Sequence, residues 1–257
     1  MTNIHSTAIV SSKAEIGEDV EIGPFCVIDD NVKIGNGCKL YNNVSVYKYT
    51  TIGEKNIIFP GAVIGAVPQD IKFDGGFSEL IIGNNNTIRE GVTMSRGTHA
   101  TDKTIVGDNS LFMAYSHVAH DDRVGNSCIL ANSVALAGHV HLEDQVIIGG
   151  LVGIHQFTTI GKHTMIGAHS MVVKDVPPYC LFSGNPLNYE GLNVIGLRRR
   201  GFSAESINLL KTVFTLLYSS GLNVTQAVNK IKAEFKVENE IAEVLDFIGK
   251  SRRGLSK

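Results

Sequence analysis

Histidines are concentrated in the middle of the sequence, where five of the nine lie between residues 117 and 155. Two belong to the segment His117-Val118-Ala119-His120-Asp121, and a third, His139, directly follows Gly138. An alcohol is a poor nucleophile near neutral pH, so acyl transfer to it needs a base, and histidine titrates in the required range. The oxyanion that then forms needs a fixed donor, which a backbone N–H such as that of Gly138 can supply. These residue types therefore predict acyl transfer to a hydroxyl group.

A purely structural explanation competes with this one for every histidine. A lone histidine is more often an exposed or hydrogen-bonded turn residue than a catalytic group, and we interpret His141, His163 and His169 in that way. The cluster of His117, His120 and His139 is interpreted as functional, because the repeat that contains it brings the cluster into register.

The elements that must position these residues appear as a period of six. Every sixth residue from Ile4 to Ile64 is Ile, Leu or Val, and the same step continues from Val106 to Val172 with Phe112 as the one exception. An α-helix repeats every 3.6 residues and a plain strand every two, so neither fits. A strict period of six instead predicts a coil of short strands and turns.

Glycine often follows the aliphatic residue of each repeat, which suits a corner that requires small size or positive φ. The pattern resembles the hexapeptide-repeat proteins, and the resemblance implies a left-handed parallel β-helix with about 18 residues per coil. On that coil His120, Gly138 and Gln156 lie on one line along the axis, and Asp121 lies one coil from His139. Neighbours on such a line are separated by about 5 Å.

The repeat also predicts the domain organisation. It is interrupted at residues 65–81 and 95–105 without losing phase, so we expect two loops extruded from the coil. The period fails from Asp175 onward, and amphipathic runs follow Ser203, a helix-capping residue. We therefore predict a β-helix over residues 1–185 and a C-terminal α-helical domain over 186–257, whose helices cover the open edge of the last coil.

Composition excludes several classes of protein. Lys and Arg number 23 against 25 Asp and Glu, and such a balance gives no support for nucleic-acid binding. No run approaches the roughly 18 apolar residues of a membrane span, and the start lacks the features of a signal peptide, so we expect a cytoplasmic protein without stable membrane insertion. Four cysteines without C-x-x-C spacing argue against a zinc or redox motif.

Further motifs extend the resemblance to one enzyme family. Pro68-Gln69-Asp70-Ile71-Lys72 is similar to a Q-D-x-K loop, and residues 117–121 are similar to an H-x-x-H-D segment. More segments follow in the family's order: Ala137-Gly138-His139-Val140, His155-Gln156-Phe157, Asp175-Val176-Pro177-Pro178-Tyr179, Gly184-Asn185, Gly191-Leu192-Asn193 and Arg199-Arg200-Gly201-Phe202. Over the whole chain the sequence resembles the acyl-ACP:UDP-N-acetylglucosamine O-acyltransferases of lipid A biosynthesis.

The resemblance implies a reaction and a set of roles. A (R)-3-hydroxyacyl group would pass from acyl carrier protein to the glucosamine 3-hydroxyl of UDP-N-acetylglucosamine, the first step of lipid A biosynthesis. His120 would be the general base, Asp121 would orient it, and Gly138 would donate to the oxyanion. Substrate-binding roles are implied for a wider set: Asp70, Lys72, His117, His139, Gln156, Asn193 and Arg199. A homotrimer is implied, and no metal or organic cofactor, since the donor arrives on the carrier protein's phosphopantetheine.

The sequence also departs from the family pattern. Ser95 stands where the family has histidine, Ile195 stands where it has an acidic residue, and Ala168 occupies a position that is glycine in members using long acyl chains. The extra methyl of Ala168 predicts a somewhat shorter acyl chain.

Other classes of protein stay open at this point. His117, His120 and His139 could hold zinc, as in the hexapeptide carbonic anhydrases of the γ class, which bind zinc through three histidines shared between neighbouring subunits. A sister N-acyltransferase of the same pathway, an acetyl-CoA-dependent acetyltransferase and a non-enzymatic scaffold are the remaining alternatives.

Overall fold

A computed structural model describes residues 1–257 and shows a left-handed parallel β-helix followed by a short helical region. Most strands of the coil are only two residues long. The strands of the coil are β1 (Asn3–Ile4), β2 (Ile9–Val10), β3 (Glu15–Ile16), β4 (Glu21–Ile22), β5 (Val27–Ile28), β6 (Lys33–Ile34), β7 (Lys39–Leu40), β8 (Ser45–Val46), β9 (Thr50–Ile52), β10 (Ile57–Ile58), β11 (Val63–Ala66), β12 (Glu79–Ile82), β13 (Thr87–Ile88), β14 (Thr93–Ser95), β15 (Lys103–Val106), β16 (Leu111–Phe112), β17 (His117–Val118), β18 (Arg123–Val124), β19 (Ile129–Leu130), β20 (Ala135–Leu136), β21 (His141–Leu142), β22 (Ile147–Ile148), β23 (Gly153–Ile154), β24 (Thr159–Ile160), β25 (Met165–Ile166) and β26 (Met171–Val172).

Every third strand joins the same parallel sheet. Sheet A begins with β1, sheet B with β2 and sheet C with β3, and the three sheets form the faces of a prism. The second residue of most strands points inward, and these aliphatic side chains form the core, stacked in register from coil to coil. Stacking in register buries each apolar residue on both sides along the axis, which explains the strict period.

Each turn between sheets has two positions with special requirements, one for a small residue and one for positive φ. The glycine after the inward residue is needed for size: a Cβ on Gly35 would lie 2.6 Å from the carbonyl carbon of Gly53. Positive φ is adopted two residues later, mostly by residues other than glycine, such as Asn31 and Asp121. Of the two reasons that the sequence offered for these glycines, small size is therefore the general one, and Gly65 adopts positive φ as well.

Both interruptions of the repeat emerge at one corner of the prism, between sheets B and C. The flanking strands are longer than predicted, because Glu79–Ile82 pairs with Lys103–Val106 over four residues. The predicted bounds of 65–81 and 95–105 were therefore too wide. We call residues 67–78 the first loop and residues 96–102 the second loop.

At the C-terminal end of the coil, sheet A extends beyond the six-residue repeat. Sheet A continues into β27 (Cys180–Ser183) and the antiparallel β28 (Asn188–Leu192), so a hairpin rather than a helix covers that edge. Four helices follow: α1 (Val194–Arg199), α2 (Ala204–Tyr218), α3 (Val224–Glu234) and α4 (Asn239–Lys250). Ser203 caps α2 as predicted. No helix has the length and apolar character needed to cross a membrane.

Candidate active site

The predicted histidine line lies on the corner between sheets B and C. His120, Gly138 and Gln156 occupy the same place in three successive turns, and the chain is tied from turn to turn by backbone bonds. The His139 N–H donates to the His120 carbonyl at 3.1 Å, and the Phe157 N–H donates to the Gly138 carbonyl at 3.2 Å. The register inferred from the six-residue repeat is therefore present at this corner.

The next residue of each turn adopts positive φ, with values of 62° for Asp121, 63° for His139 and 63° for Phe157. The side chains of these residues consequently stack along the corner beside His120. The rings of His139 and Phe157 are parallel, with centroids 4.4 Å apart, and the His139 ring meets His120 edge-on at 5.3 Å. Phe157 was missed as a neighbour of the site, although its position in the repeat identifies it.

His120 and Asp121 form a hydrogen-bonded dyad. His120 Nδ1 lies 2.8 Å from Asp121 Oδ2, and the Asp121 side chain is fully buried while that of His120 is 14% exposed. Three more donors reach this carboxylate from the second loop, namely the Thr98 N–H at 3.1 Å, the Thr98 hydroxyl at 2.7 Å and the Thr101 hydroxyl. Burial acts to raise the pKa of Asp121, but the hydrogen bonds from Thr101, Thr98 and His120 outweigh it and lower that pKa.

An ionised Asp121 fixes the protonation of its partner. A carboxylate only accepts hydrogen bonds, so the Nδ1 atom of His120 carries the hydrogen and Nε2 retains a free lone pair. The Cε1–Nε2 edge of this ring lies against Gly138, since a Cβ built on Gly138 would lie 2.4 Å from Cε1 and 2.6 Å from Nε2. An imidazole nitrogen with a free lone pair therefore lies beside the glycine of the next coil.

Gly138 offers the donor that the chemistry requires. The residue is buried, and its N–H makes no hydrogen bond within the chain. Buried backbone N–H groups are almost always paired, so an unpaired one beside a histidine base is suited to bind a ligand oxygen. The corresponding N–H of Gln156 is also unpaired, but Gln156 is exposed and open to water.

Two other predicted histidines flank the dyad. His139 Nε2 lies 3.7 Å from Asp121 Oδ2, and His117 Nδ1 lies 2.7 Å from the Thr93 hydroxyl. Burial lowers the pKa of both His117 and His139, so both imidazoles are neutral near pH 7. Neutral imidazoles can donate and accept hydrogen bonds without adding charge beside the base.

The first loop contributes Asp70 and Lys72. Their side chains do not pair with each other, because the contact between them is from the Lys72 backbone N–H to Asp70 Oδ1 at 2.9 Å. Lys72 is exposed. The negative charge of Asp70 acts to raise the pKa of His139, against the larger effect of burial. The two loops are joined by the His99–Asp74 hydrogen bond of 2.8 Å.

Three predicted residues lie away from this corner. Asn193 is buried and both of its side-chain atoms are engaged, since it caps α1 through the Gly196 N–H and donates to the His163 carbonyl. Arg199 is exposed on α1, and Ala168 is exposed on the corner between sheets A and B. The structure thus gives Asn193 a structural role, while its contact with a substrate stays a prediction.

The donor set of the site differs from the zinc alternative. His120, Asp121 and His139 place three possible ligand atoms within 4.8 Å of one another, but His117 is not among them. Both oxygens of Asp121 already accept hydrogen bonds from Thr98, Thr101 and His120. The predicted trio of histidines is therefore not assembled within the chain.

Comparison with known proteins decides the family. An acyl-[acyl-carrier-protein]–UDP-N-acetylglucosamine O-acyltransferase from Thermodesulfovibrio yellowstonii is 50% identical over 258 residues, with both chains covered completely. The chain belongs to this acyltransferase family. A relative of the same name from Psychrobacter sp. is 51% identical and is covered over 99% of both chains.

Solved structures and family models agree with membership of this acyltransferase family. The UDP-N-acetylglucosamine acyltransferase of Bacteroides fragilis superimposes with a TM-score of 0.97 at 45% identity, over 99% of this chain and all of the other. Residues 175–256 match the second domain of the UDP-N-acetylglucosamine O-acyltransferase family, and residues 13–48 match the bacterial transferase hexapeptide family. The fold and the acyltransferase class predicted from the sequence are confirmed, and the carbonic anhydrase and scaffold alternatives are set aside.

Proposed function

We propose that the protein transfers a (R)-3-hydroxyacyl group from acyl carrier protein to the glucosamine 3-hydroxyl of UDP-N-acetylglucosamine, in the first step of lipid A biosynthesis. The relatives' names supply the donor and the acceptor. The observation that carries the chemistry is the Nε2 atom of His120 beside the buried, unpaired N–H of Gly138. Base and oxyanion donor are the two groups that acyl transfer to an alcohol requires.

The reaction proceeds in two steps at this corner. Nε2 of His120 takes the proton of the sugar hydroxyl while its oxygen attacks the thioester carbonyl, and the Gly138 N–H binds the resulting oxyanion. Asp121 stabilises the imidazolium that forms, as the buried carboxylate does in a serine-protease triad. The tetrahedral intermediate then breaks its C–S bond, and the imidazolium returns its proton to the departing thiolate of phosphopantetheine.

Substrate binding is assigned to the groups that surround the dyad. His117, His139 and Gln156 line the same corner, and Asp70 and Lys72 lie on the loop at its edge. Neutral imidazoles and an amide can bind sugar hydroxyls or the 3-hydroxyl of the acyl chain, while Lys72 supplies a cation for the diphosphate. Gln156 and Lys72 are exposed, and neither side chain forms a hydrogen bond or an ion pair within the chain, which supports this assignment.

The acyl chain is proposed to cross sheet B from His120 toward Ala168. Ala168 lies in the last full coil, and the outward positions of the intervening coils are Ala135 and Gly153, whose small size leaves room on this face. A methyl at residue 168 shortens that path, so we expect a shorter chain than in relatives with glycine there. Fastest turnover with the longest donor of a panel would contradict this expectation.

The carrier protein is proposed to dock on α1. Arg198 and Arg199 are exposed in its last turn, and neither forms an ion pair within the chain. Cations of this kind attract an acidic partner and steer its approach.

No metal or organic cofactor is required for the proposed reaction, since the donor carries its own activated thioester. The expected cytoplasmic location stays a prediction.

A homotrimer is proposed to complete the site. The outward positions of sheet A carry a continuous apolar column in register, formed by Leu111, Ile129, Ile147 and Met165. Outward positions of sheet C at the same level are polar, including Arg123 and His141. A second copy of the chain would bury the apolar column. Native mass measurement is expected to give a trimer, and fully active monomers would overturn this proposal.

Product analysis tests the proposed reaction. Purified protein is incubated with UDP-N-acetylglucosamine and a panel of 3-hydroxyacyl carrier-protein donors, and the position of the acyl group on the sugar is determined. The wild type and His5→Ala, a histidine in the first coil, are expected to form the 3-O-acyl product, while His120→Ala is expected to form almost none. Absence of product with every donor would refute the proposal.

A further inference from the structure

Asp122 is an unusual residue for its position in the coil. Asp122 occupies the inward position two residues before the aliphatic residue of its repeat, and it is the only carboxylate at that position among the coils. The other coils carry small, β-branched or amide side chains there, apart from Leu80. It is fully buried, between Thr104 of the preceding coil and Val140 of the following coil. Burying a carboxylate costs free energy unless hydrogen bonds compensate for the lost water.

The parallel ladder is interrupted directly behind the histidine base. Other neighbouring strands of sheet B pair through two residues or more, whereas β17 and β20 pair through His117 and Ala135 alone. In the next coil the Ala137 N–H donates to the Ile154 carbonyl at 3.0 Å, but the equivalent N–H of Ala119 makes no such bond to Leu136. The turn that carries His120 is therefore not fixed by the ladder at this point.

The Asp122 carboxylate replaces the missing bond and adds a second one. Its Oδ2 atom accepts the Ala119 N–H at 2.8 Å, and its Oδ1 atom accepts the Val140 N–H at 2.8 Å. Ala119 immediately precedes His120, and Val140 follows Gly138 by two residues. One side chain thus holds the turn of the base and the turn of the oxyanion donor at once.

We infer that Asp122 is a positioning residue, which sets the separation between the His120 imidazole and the Gly138 N–H. The inference rests on the proposed function, because it concerns the same two groups. Asparagine at residue 122 would present one acceptor and an NH₂ group that cannot accept, so one of the two turns would be released. Valine would release both turns and allow Ala119 to return to the ladder.

Burial raises the pKa of Asp122 well above its ordinary value, and the N–H groups of Val140 and Ala119 only partly oppose the shift. The contacts do not depend on the charge, since a protonated carboxyl keeps acceptor lone pairs on both oxygens. The positioning role therefore extends over a broad range of pH.

Two variants and one matched control test the inference. Asp122→Val removes a buried carboxylate and is expected to fold, because valine already occupies the same column at Val140. We expect kcat to fall about tenfold to a hundredfold, with KM for the sugar nucleotide within about twofold, since a displacement of about 1 Å at the reacting groups has that effect. Asp122→Asn is expected to keep one of the two contacts, and its kcat is expected to fall as well.

The control is Thr158→Val, which changes a buried side chain of the same column whose hydroxyl has no partner. It is expected to leave kcat unchanged. The melting temperature and trimer content of each variant are measured, so that a loss of folded protein is separated from a loss of kcat. In a His120→Ala background, Asp122→Val should cause no further loss, because the geometry it sets no longer matters.

The outcomes separate the inference from the proposed function. A wild type without transfer activity refutes the proposed function itself. An active wild type, an inactive His120→Ala and a folded Asp122→Val with full kcat refute the positioning role alone. If Asp122→Val does not fold, full kcat in Asp122→Asn refutes it as well.

Discussion

The corner between sheets B and C runs the length of the prism, yet its N-terminal coils differ in chemistry from the coil of His120. In the N-terminal coils Asp30 lies on this corner and pairs with Lys13 at 3.0 Å, with side chains that are 48% and 68% exposed. Further along, Asp121 pairs with His120 at 2.8 Å, and the Asp121 side chain is fully buried. The same corner therefore supports a solvated ion pair in one region and a shielded His–Asp dyad in the other.

The difference comes from the second loop. Its residues Thr98 and Thr101 cover Asp121 and bond to both of its oxygens, whereas Asp30 is reached only by Ser11 and Lys13. An exposed ion pair is screened by water, while a shielded carboxylate acts strongly on the one imidazole beside it. The candidate active site thus lies where an irregular segment shields one corner of the regular coil from water.

The largest expected effect distinguishes the two aspartates. Asp121→Asn should lower kcat about a thousandfold, because an amide can donate to Nδ1 and thereby favour the wrong tautomer of His120. Asp30→Asn, on the same corner, should leave kcat unchanged. Steady-state assays of both variants decide the comparison, and equal effects would mean that the location of the dyad has been misassigned.

A second variant tests the contact between neighbouring coils. Gly138→Ala should lower kcat about a hundredfold, because the added Cβ would lie 2.4 Å from Cε1 of His120 and must displace the ring. Gly150→Ala is the control, since its Cβ would approach Asn132 no closer than 3.4 Å. Normal turnover by Gly138→Ala would show that His120 does not need to stay against this glycine.

The role of the covering loop predicts a smaller effect. Thr98→Val removes the 2.7 Å bond to Asp121 but keeps the Thr98 N–H, so we expect about a tenfold loss of kcat and about 1 to 2 kcal/mol of lost stability. Thr50→Val changes a buried threonine without a partner at the same corner in an N-terminal coil and should be neutral. An unchanged kcat in Thr98→Val would remove the loop from the explanation.

The smallest expected effect concerns pH and stability. Burial, with the nearby charges of Arg200 and Lys162, lowers the pKa of His163 to about 4 in the folded protein. The unfolded chain binds that proton near pH 6.5, so stability should fall as pH decreases from about 6.5 to about 4. Melting temperatures of His163→Gln should depend less on pH over this window than those of the wild type, and parallel curves would contradict the assignment.

The repeat made much of the fold and the centre of the site predictable. A strict period fixes which residues share a corner, so His120, Gly138 and Gln156 could be aligned without coordinates. Thr98 and Thr101 were missed because they come from a loop without a period, and only the folded chain brings them to Asp121. The hairpin over sheet A was missed because its strands leave the six-residue pattern.

Asn193 and Asp122 show a second limit of sequence analysis. A motif marked Asn193 for binding, whereas its side chain caps α1 and bonds to His163. Asp122 attracted no prediction, although a carboxylate at an inward position departs from the pattern of its neighbours. Which hydrogen bonds a polar side chain makes depends on the three-dimensional partners, and spacing alone does not supply them.

Single-turnover transfer with enzyme in excess tests the central claim most directly, because it isolates the chemical step from product release. For His120→Ala we predict a loss of about a thousandfold or more in that step, with UDP-N-acetylglucosamine binding changed by no more than a few-fold. Transfer at near wild-type rate, or a loss explained entirely by weaker sugar-nucleotide binding, would show that His120 is not the base.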